Sequence, residues 1–194
     1  MSKVSPTTSG PSDDRLVWMD LEMTGLNPET CVIVQIAVII TDRDLNPLGN
    51  PLDLVVWQPE SVLESMEPFV RKMHKKSGLL DQIRNSRTSV NDAQRQAMEL
   101  ITKHCSYRSA ALCGNSIGQD RRFLVKYMPE IEGYLHYRNI DVSTIKELGD
   151  WWYGVCYTKP DSGKHTAMHD VRQSLEELRF LSQKIFKSRE SQDT

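Results

Sequence analysis

"RLVWMDLEM", Arg15 to Met23, is the stretch on which the reading of this chain turns. Leu16, Val17, Trp18, Met19 and Leu21 make it an apolar run of the kind found in a central strand buried on both faces. Asp20 and Glu22 interrupt that run. In a strand, successive side chains alternate faces and advance about 3.3 Å, so the two acids project to one side with their Cα atoms roughly 6–7 Å apart. Like charges held that close repel, and one of them must keep a proton or find a cation. The alternative ends the strand at Asp20 and leaves both acids in a solvated turn begun by Thr24, Gly25, Asn27 and Pro28.

The flanking segments favour a sheet. "CVIVQIAVIITD" is a β-branched run that reads as a second strand, and "PLDLVVWQP" reads as a third, with turn residues in "RDLNPLGN" between them. Connections this short suit antiparallel neighbours. Helical and irregular segments mix from Ser61 to about Arg84. "SVNDAQRQAMELITKHC" then places Ser89 and Asp92 at capping-box spacing ahead of Ala93, Ala97, Leu100 and Ile101, which predicts a helix. "AALCGNSIGQDRRFLVKYMPE" reads as a short strand, a turn, and a helix that opens near Asp120 and stops before Pro129. "HYRNIDVSTIKEL" repeats that plan, with a strand to Asp141 and a helix whose Thr144 and Glu147 have capping-box spacing. "HTAMHDVRQSLEELRFLSQKIF" carries Ala167, Val171, Leu175, Leu178 and Leu181 on one helical stripe. Antiparallel strands followed by strand–helix repeats predict an α/β fold with a mixed sheet.

At 194 residues and 22.3 kDa, with 39% hydrophobic residues, the chain is sized for one domain with a substantial core. That domain is expected over residues 15–187, between a disordered tail of residues 1–14 and a short one of 188–194. A formal net charge of −2 and a pI of about 6.2 argue against a broad basic track for long nucleic acid. Cys31, Cys105, Cys113 and Cys156 form no C-x-x-C pair, which fits free thiols in a reducing cytoplasm better than a disulfide framework. There is no apolar run of about 20 residues to span a membrane and no apolar signal segment at the start.

Two more acids stand where a mixed sheet could bring them to the first pair. Asp120 lies at a strand-to-helix handover and Asp170 in the first turns of the last helix, with His165 five residues before it. Singly, each acid is explained by the helix dipole. Together, four carboxylates could hold two Mg²⁺ or Mn²⁺ ions, hard cations that prefer oxygen. Such a pair suits in-line phosphoryl displacement, and a nearby histidine is the natural acceptor of the attacking water's proton.

Asp20, Glu22, Asp120 and Asp170 with His165 resemble the DEDDh exonuclease set: D-x-E, a central Asp, then H-x4-D. Among those enzymes the chain is most similar to the oligoribonuclease family, through "WMDLEMTGL", "SGL", "GNSIGQDRRFL", "KYMPE" and "HYRNIDVSTIKEL" in order, from about Arg15 to Phe186. The resemblance implies a ribonuclease H-like sheet, three antiparallel strands and then two parallel ones, flanked by helices. It implies a homodimer that hydrolyses very short RNA 3′ to 5′, dinucleotides especially, to 5′-mononucleotides. By the same resemblance Asp20 bridges both metals, Glu22 and Asp170 complete the first site, Asp120 supports the second, and His165 is the general base. Leu26 would wedge between the two bases, Phe69 would stack on one, His74 would touch substrate, and Ser116 would contact a phosphate. Tyr137, Arg138, Ser143 and Thr144 would cap the 5′ phosphate across the dimer and exclude longer chains.

Two positions depart from the family pattern. Gln35 stands where Glu is common, so an amide that can hydrogen-bond brings no charge. His169 precedes Asp170 and creates His165-x3-His169, the spacing of a zinc pair, although no third zinc ligand is evident. The rival readings are a proofreading-type DNA exonuclease, an RNase T-like trimming enzyme and a silent binding module. The first needs a groove for longer strands, the second needs basic clusters beyond "RKMHKK" and "DRRF", and the third usually loses a metal ligand.

Overall fold

The computed structural model describes residues 10–158 and 166–187. Strand β1 (Arg15–Met23) runs unbroken through Asp20 and Glu22, so the acids are strand residues and not part of a turn. It pairs antiparallel with β2 (Ile33–Asp42), placing Asp20 opposite Ala37 and Glu22 opposite Gln35. β2 in turn pairs antiparallel with β3 (Pro47–Val55). On the other side of β1 lie β4 (Ala111–Gly114) and β5 (Asn139–Asp141), both parallel, giving the order β3-β2-β1-β4-β5. This is the mixed sheet expected from the sequence.

Alternation along β1 divides the core. Val17, Met19 and Leu21 face one layer, where they pack with Ile36, Val38 and Ile40 against Ala93, Ala97 and Ile101 of α4 (Val90–His104) and Phe123 and Leu124 of α5 (Gly118–Tyr127). Trp18 faces the other layer with Ala37, Ile39 and Cys113, under Val171, Leu175, Leu178 and Leu181 of α8 (Ala167–Ile185). Each of the Val, Leu, Ile, Met and Phe side chains among them contributes about 1.5–3 kcal/mol when fully buried. Trp18 also satisfies its indole by donating to Thr41 Oγ1 at 3.0 Å. The consequence for function is one of parity: Asp20 and Glu22 continue the Trp18 face, toward the end of the sheet where α8 begins.

The mixed segment after β3 resolves into α1 (Glu60–Glu64), α2 (Pro68–Ser77) and α3 (Leu79–Asn85), whose Leu63, Leu79, Leu80 and Ile83 form a satellite core with Val34. Ser89 caps α4 as its spacing predicts, accepting from the Asp92 N–H at 3.1 Å. Three expectations need correction, and one helix is additional to them. β3 starts at Pro47, inside the expected turn, because an edge strand tolerates prolines and Gly49 supplies a φ of 69°. After α5 the chain re-enters a helix at Pro129, forming α6 (Pro129–Tyr134). α7 (Val142–Tyr153) is capped by Asp141, whose side chain accepts from Ser143 N–H at 3.0 Å, and not by Thr144. Ser12, expected in the tail, is tied down: its N–H donates to His104 O at 3.0 Å and its carbonyl accepts from Ser106 N–H at 3.2 Å. Residues 1–9 and 188–194 lie outside the described residues. Among those described, no helix is long and apolar enough to cross a membrane, and all four cysteines are free.

Candidate active site

The site begins where Trp18's face runs out of apolar residues. The first turn of α8 carries Asp170, an acid at the positive end of a helix dipole. That helix has no side-chain cap of its own at Thr166. Instead Gln35, almost fully buried, accepts from Ala167 N–H at 3.3 Å and donates to Asp53 Oδ1 at 2.8 Å. Because Gln35 sits opposite Glu22, this amide docks the start of α8 directly onto the strand pair that carries the acids. Carboxylate oxygens of Asp20, Glu22 and Asp170 consequently all lie within 4.8 Å of one another.

Asp120 enters from the other side. β4 pairs with β1 only from Leu16 to Trp18, so the Leu21 N–H beyond it has no strand partner there. Asp120, buried in the first turn of α5, takes that N–H at 2.8 Å through Oδ1. Gly114 makes the approach possible, since a Cβ there would stand 2.9 Å from Met19 O. Burial pushes the Asp120 carboxyl up to about 7 against the bonds from the Leu21 and Asp120 N–H groups, with Asp141 adding to the rise. Burial also pushes Glu22 up to about 7, reinforced by the charges of Asp170 and Asp120. Four of the five predicted residues, Asp20, Glu22, Asp120 and Asp170, come together at this end of β1, with the Glu22 and Asp120 carboxyls held well above the usual carboxylate range.

An all-oxygen donor set with crowded, proton-retaining carboxyls fits hard divalent cations. Among the described residues this is the one group of three or more ligating side chains within reach of a single ion, and it contains neither His nor Cys. The zinc pair cannot be followed, because His165 lies outside the described residues. The same holds for His165 as the general base.

The remaining predicted residues fall into three places. Leu26 and Phe69 are 70% and 76% exposed, so neither belongs to the core; Gln119, next to Asp120, donates to Leu26 O. His74, expected at substrate, is fully buried, with Nε2 2.8 Å from Met23 O and Nδ1 3.9 Å from Glu22 Oε2. In this conformation its ring backs Glu22 and presents no face to a substrate.

Ser116 and Ser143 come together, hydroxyl to hydroxyl at 3.3 Å, and Ser116 N–H donates to both Asp141 Oδ1 and Ser143 Oγ at 3.0 Å. Ser116 holds a φ of 49° to do so. Thr144 is exposed on the next position of α7. Tyr137 stacks on the half-buried His136 with centroids 4.5 Å apart, and the exposed Arg138 guanidinium lies 5.4 Å over the Tyr137 ring. Sequence reasoning missed Asp141 and Asn115 as supports. Asn115 donates to the buried Glu177 of α8 at 2.9 Å, linking this loop to the helix that carries Asp170.

Comparison with known proteins gives a consistent result. A family model described as Exonuclease (RNase_T) matches residues 17–178. Oligoribonuclease of Thiobacillus denitrificans is 44% identical over 174 residues, covering 89% of this chain and 96% of that protein. Oligoribonuclease of Francisella tularensis is 45% identical over 175 residues, covering 90% and 97%. Among solved structures, Exonuclease I from Methylocaldum szegediense superposes with a TM-score of 0.66 at 20% identity, covering 88% of this chain. A zinc-bound E. coli ExoI–ssDNA complex gives 0.68 at 14%, covering 89%. The chain spans about two fifths of those two exonuclease chains, 41% in each case, so they speak for the fold alone.

Proposed function

From the premise that the chain belongs to the exonuclease family, and within it to the oligoribonucleases, we propose that it hydrolyses very short RNA from the 3′ end, dinucleotides above all, to 5′-mononucleotides. The observation that carries this reading is the convergence of Asp20, Glu22 and Asp170 within 4.8 Å, with Asp120 beside them on Leu21. Two divalent cations, Mg²⁺ or Mn²⁺, would supply the positive charge that polarises the scissile phosphate and acidifies the attacking water. Asp20, Glu22 and Asp170 would hold one ion, and Asp20 with Asp120 the other.

The protein's own groups orient and deprotonate. His165, immediately before the Thr166 cap of α8 in sequence, takes the proton from water, a task suited to an imidazole side chain. His74 lies behind Glu22, with its Nδ1 3.9 Å from Glu22 Oε2 and its Nε2 anchored on Met23 O. Leu26 and Phe69 offer exposed apolar faces to the bases, where stacking is worth about 1–3 kcal/mol per base. Ser116, Ser143 and Thr144 line a phosphate position. Tyr137 and Arg138 close the 5′ end, reaching the site of a second copy in a homodimer. A closed 5′ end limits substrate length, which agrees with a net charge of −2 and no basic track. The same reading locates the enzyme in the cytoplasm, where free thiols such as Cys105 and Cys113 persist.

The test is hydrolysis of 5′-phosphorylated RNAs two, five and twenty nucleotides long with Mn²⁺, with EDTA, and with the Asp20→Ala variant. The reading expects fastest cleavage of the dinucleotide, abolished by both controls. Preference for the twenty-mer would replace it with a trimming exonuclease, and no metal-dependent cleavage would leave a binding module.

A further inference from the structure

Arg121 follows Asp120 in α5 but points to a different neighbourhood, as successive residues on a helix must, about 100° apart. Its side chain is 13% exposed, and its guanidinium has three acceptors. Nη1 donates to Asn139 Oδ1 at 2.7 Å, Nη2 to His136 O at 2.9 Å, and Nη2 to Glu132 Oε1 at 3.2 Å with Nε also directed at that oxygen at 3.4 Å. These acceptors run from α6 to the first residue of β5. Only Tyr137 and Arg138 lie between the His136 and Asn139 attachments, and both side chains are exposed. A second brace comes from His136, whose N–H donates to Ala110 O at 2.9 Å and whose Nδ1 accepts from Arg138 N–H at 3.1 Å.

We propose that Arg121 is a positioning residue that fixes the Tyr137–Arg138 tip relative to the helix bearing Asp120, and so sets the preference for substrates with a 5′ phosphate. This rests on the reading of Tyr137 and Arg138 as the groups that close the 5′ end. An ordinary surface ion pair would not be this buried or this divided. Glu132 alone could pair with a lysine, but a planar fork is needed to hold a carbonyl, an amide oxygen and a carboxylate at once. One helix thereby carries an acid of its own chain's metal site and, one residue on, the clamp for the tip that closes the 5′ end in a second copy, so α5 ties the two sites of the homodimer together.

The experiment measures kcat and KM on 5′-phosphorylated and 5′-hydroxyl diribonucleotides for the wild type and for Arg138→Ala, Arg121→Ala, Arg121→Lys and Asn139→Ala, with melting temperatures recorded alongside. Arg138→Ala reports on the underlying reading and should lower the phosphate-to-hydroxyl ratio of kcat/KM by about tenfold, the scale of one charge-assisted hydrogen bond. Arg121→Ala should lower the same ratio by about tenfold, through KM on the phosphorylated substrate. Arg121→Lys should recover less than about threefold of it, because an ammonium replaces the fork with a point charge. Asn139→Ala, which removes one acceptor at an exposed position, should shift the ratio in the same direction by a smaller factor and decides the matter if Arg121→Ala does not fold. A merely structural arginine would depress both substrates equally and leave the ratio unmoved, which overturns the proposal. If Arg138→Ala moves the ratio and the Arg121 and Asn139 variants do not, the positioning role alone falls; if Arg138→Ala does not move it either, the 5′-end reading falls with it.

Discussion

The acid corner at the end of β1 and the serine cluster at the start of α7 face opposite electrostatic problems. In the corner, Glu22 and Asp120 are driven up to about 7 by burial and by other acids, so the folded chain holds protons there that it would otherwise release. In the cluster, Asp141 Oδ1 takes the N–H groups of both Ser116 and Ser143, and the two hydroxyls meet each other. On the proposed function the corner would need cations to balance its carboxylates, whereas the polar groups of the cluster already pair with one another. The difference separates a site whose ligand stabilises the fold from one whose geometry is prepared in advance.

The largest effect should come from the corner. Asp20→Ala or Glu22→Gln should lower hydrolysis of a 5′-phosphorylated dinucleotide by about three orders of magnitude, since ionic stabilisation worth several kcal/mol is lost. Without metal at pH 8, Glu22→Gln should melt higher than the parent, because a crowded buried charge has been removed; a lower melting point would break the contrast. pH then sharpens it. The folded-state values of Glu22 and Asp120 stand above those of ordinary carboxylates, so the folded chain binds more protons than the unfolded one between about pH 4 and 7. Metal-free stability should therefore be highest at the acid end of that window, fall as pH rises toward 7, and level off above it. Adding Mn²⁺ at pH 8 should restore it, as read by thermal melts with and without EDTA.

Smaller effects come from the supports. Gln35→Leu leaves Ala167 N–H buried without its acceptor and should cost about 1–3 kcal/mol in urea unfolding, with weaker cation binding because Asp170 follows in the same turn. Asp141→Ala removes the α7 cap and should cost about 1–2 kcal/mol while cation binding persists, the converse of Glu22→Gln. Equal damage to cation binding from Asp141→Ala would mean that the two regions are one unit.

Much of this was legible in the chain itself. The acid pair, the strand that carries it and the stripe of α8 follow from periods of two and 3.6 residues, which are local. The start of β3 was hidden because Pro47, Gly49 and Pro51 carry turn chemistry, and only the edge position of the strand makes them tolerable. Asp141 was passed over because Thr144 and Glu147 offered the commoner capping pattern. The docking by Gln35, the burial of His74 behind Glu22 and the clamp of Arg121 on residues 132–139 depend on partners far apart in sequence. No periodicity reports such contacts. Gln35 is the instructive case: a position marked only by the missing charge proves to use both ends of its amide.

The most direct test of the corner's need for cations is calorimetric titration of the metal-free protein with Mn²⁺ at pH 6 and pH 8.5, in buffers of different ionisation enthalpy, alongside Asp20→Asn. The account predicts two ions per chain, tighter binding at pH 8.5, and proton release at pH 6 that largely disappears at pH 8.5, all lost in the variant. Absence of binding, or binding that Asp20→Asn and pH leave untouched, would contradict it.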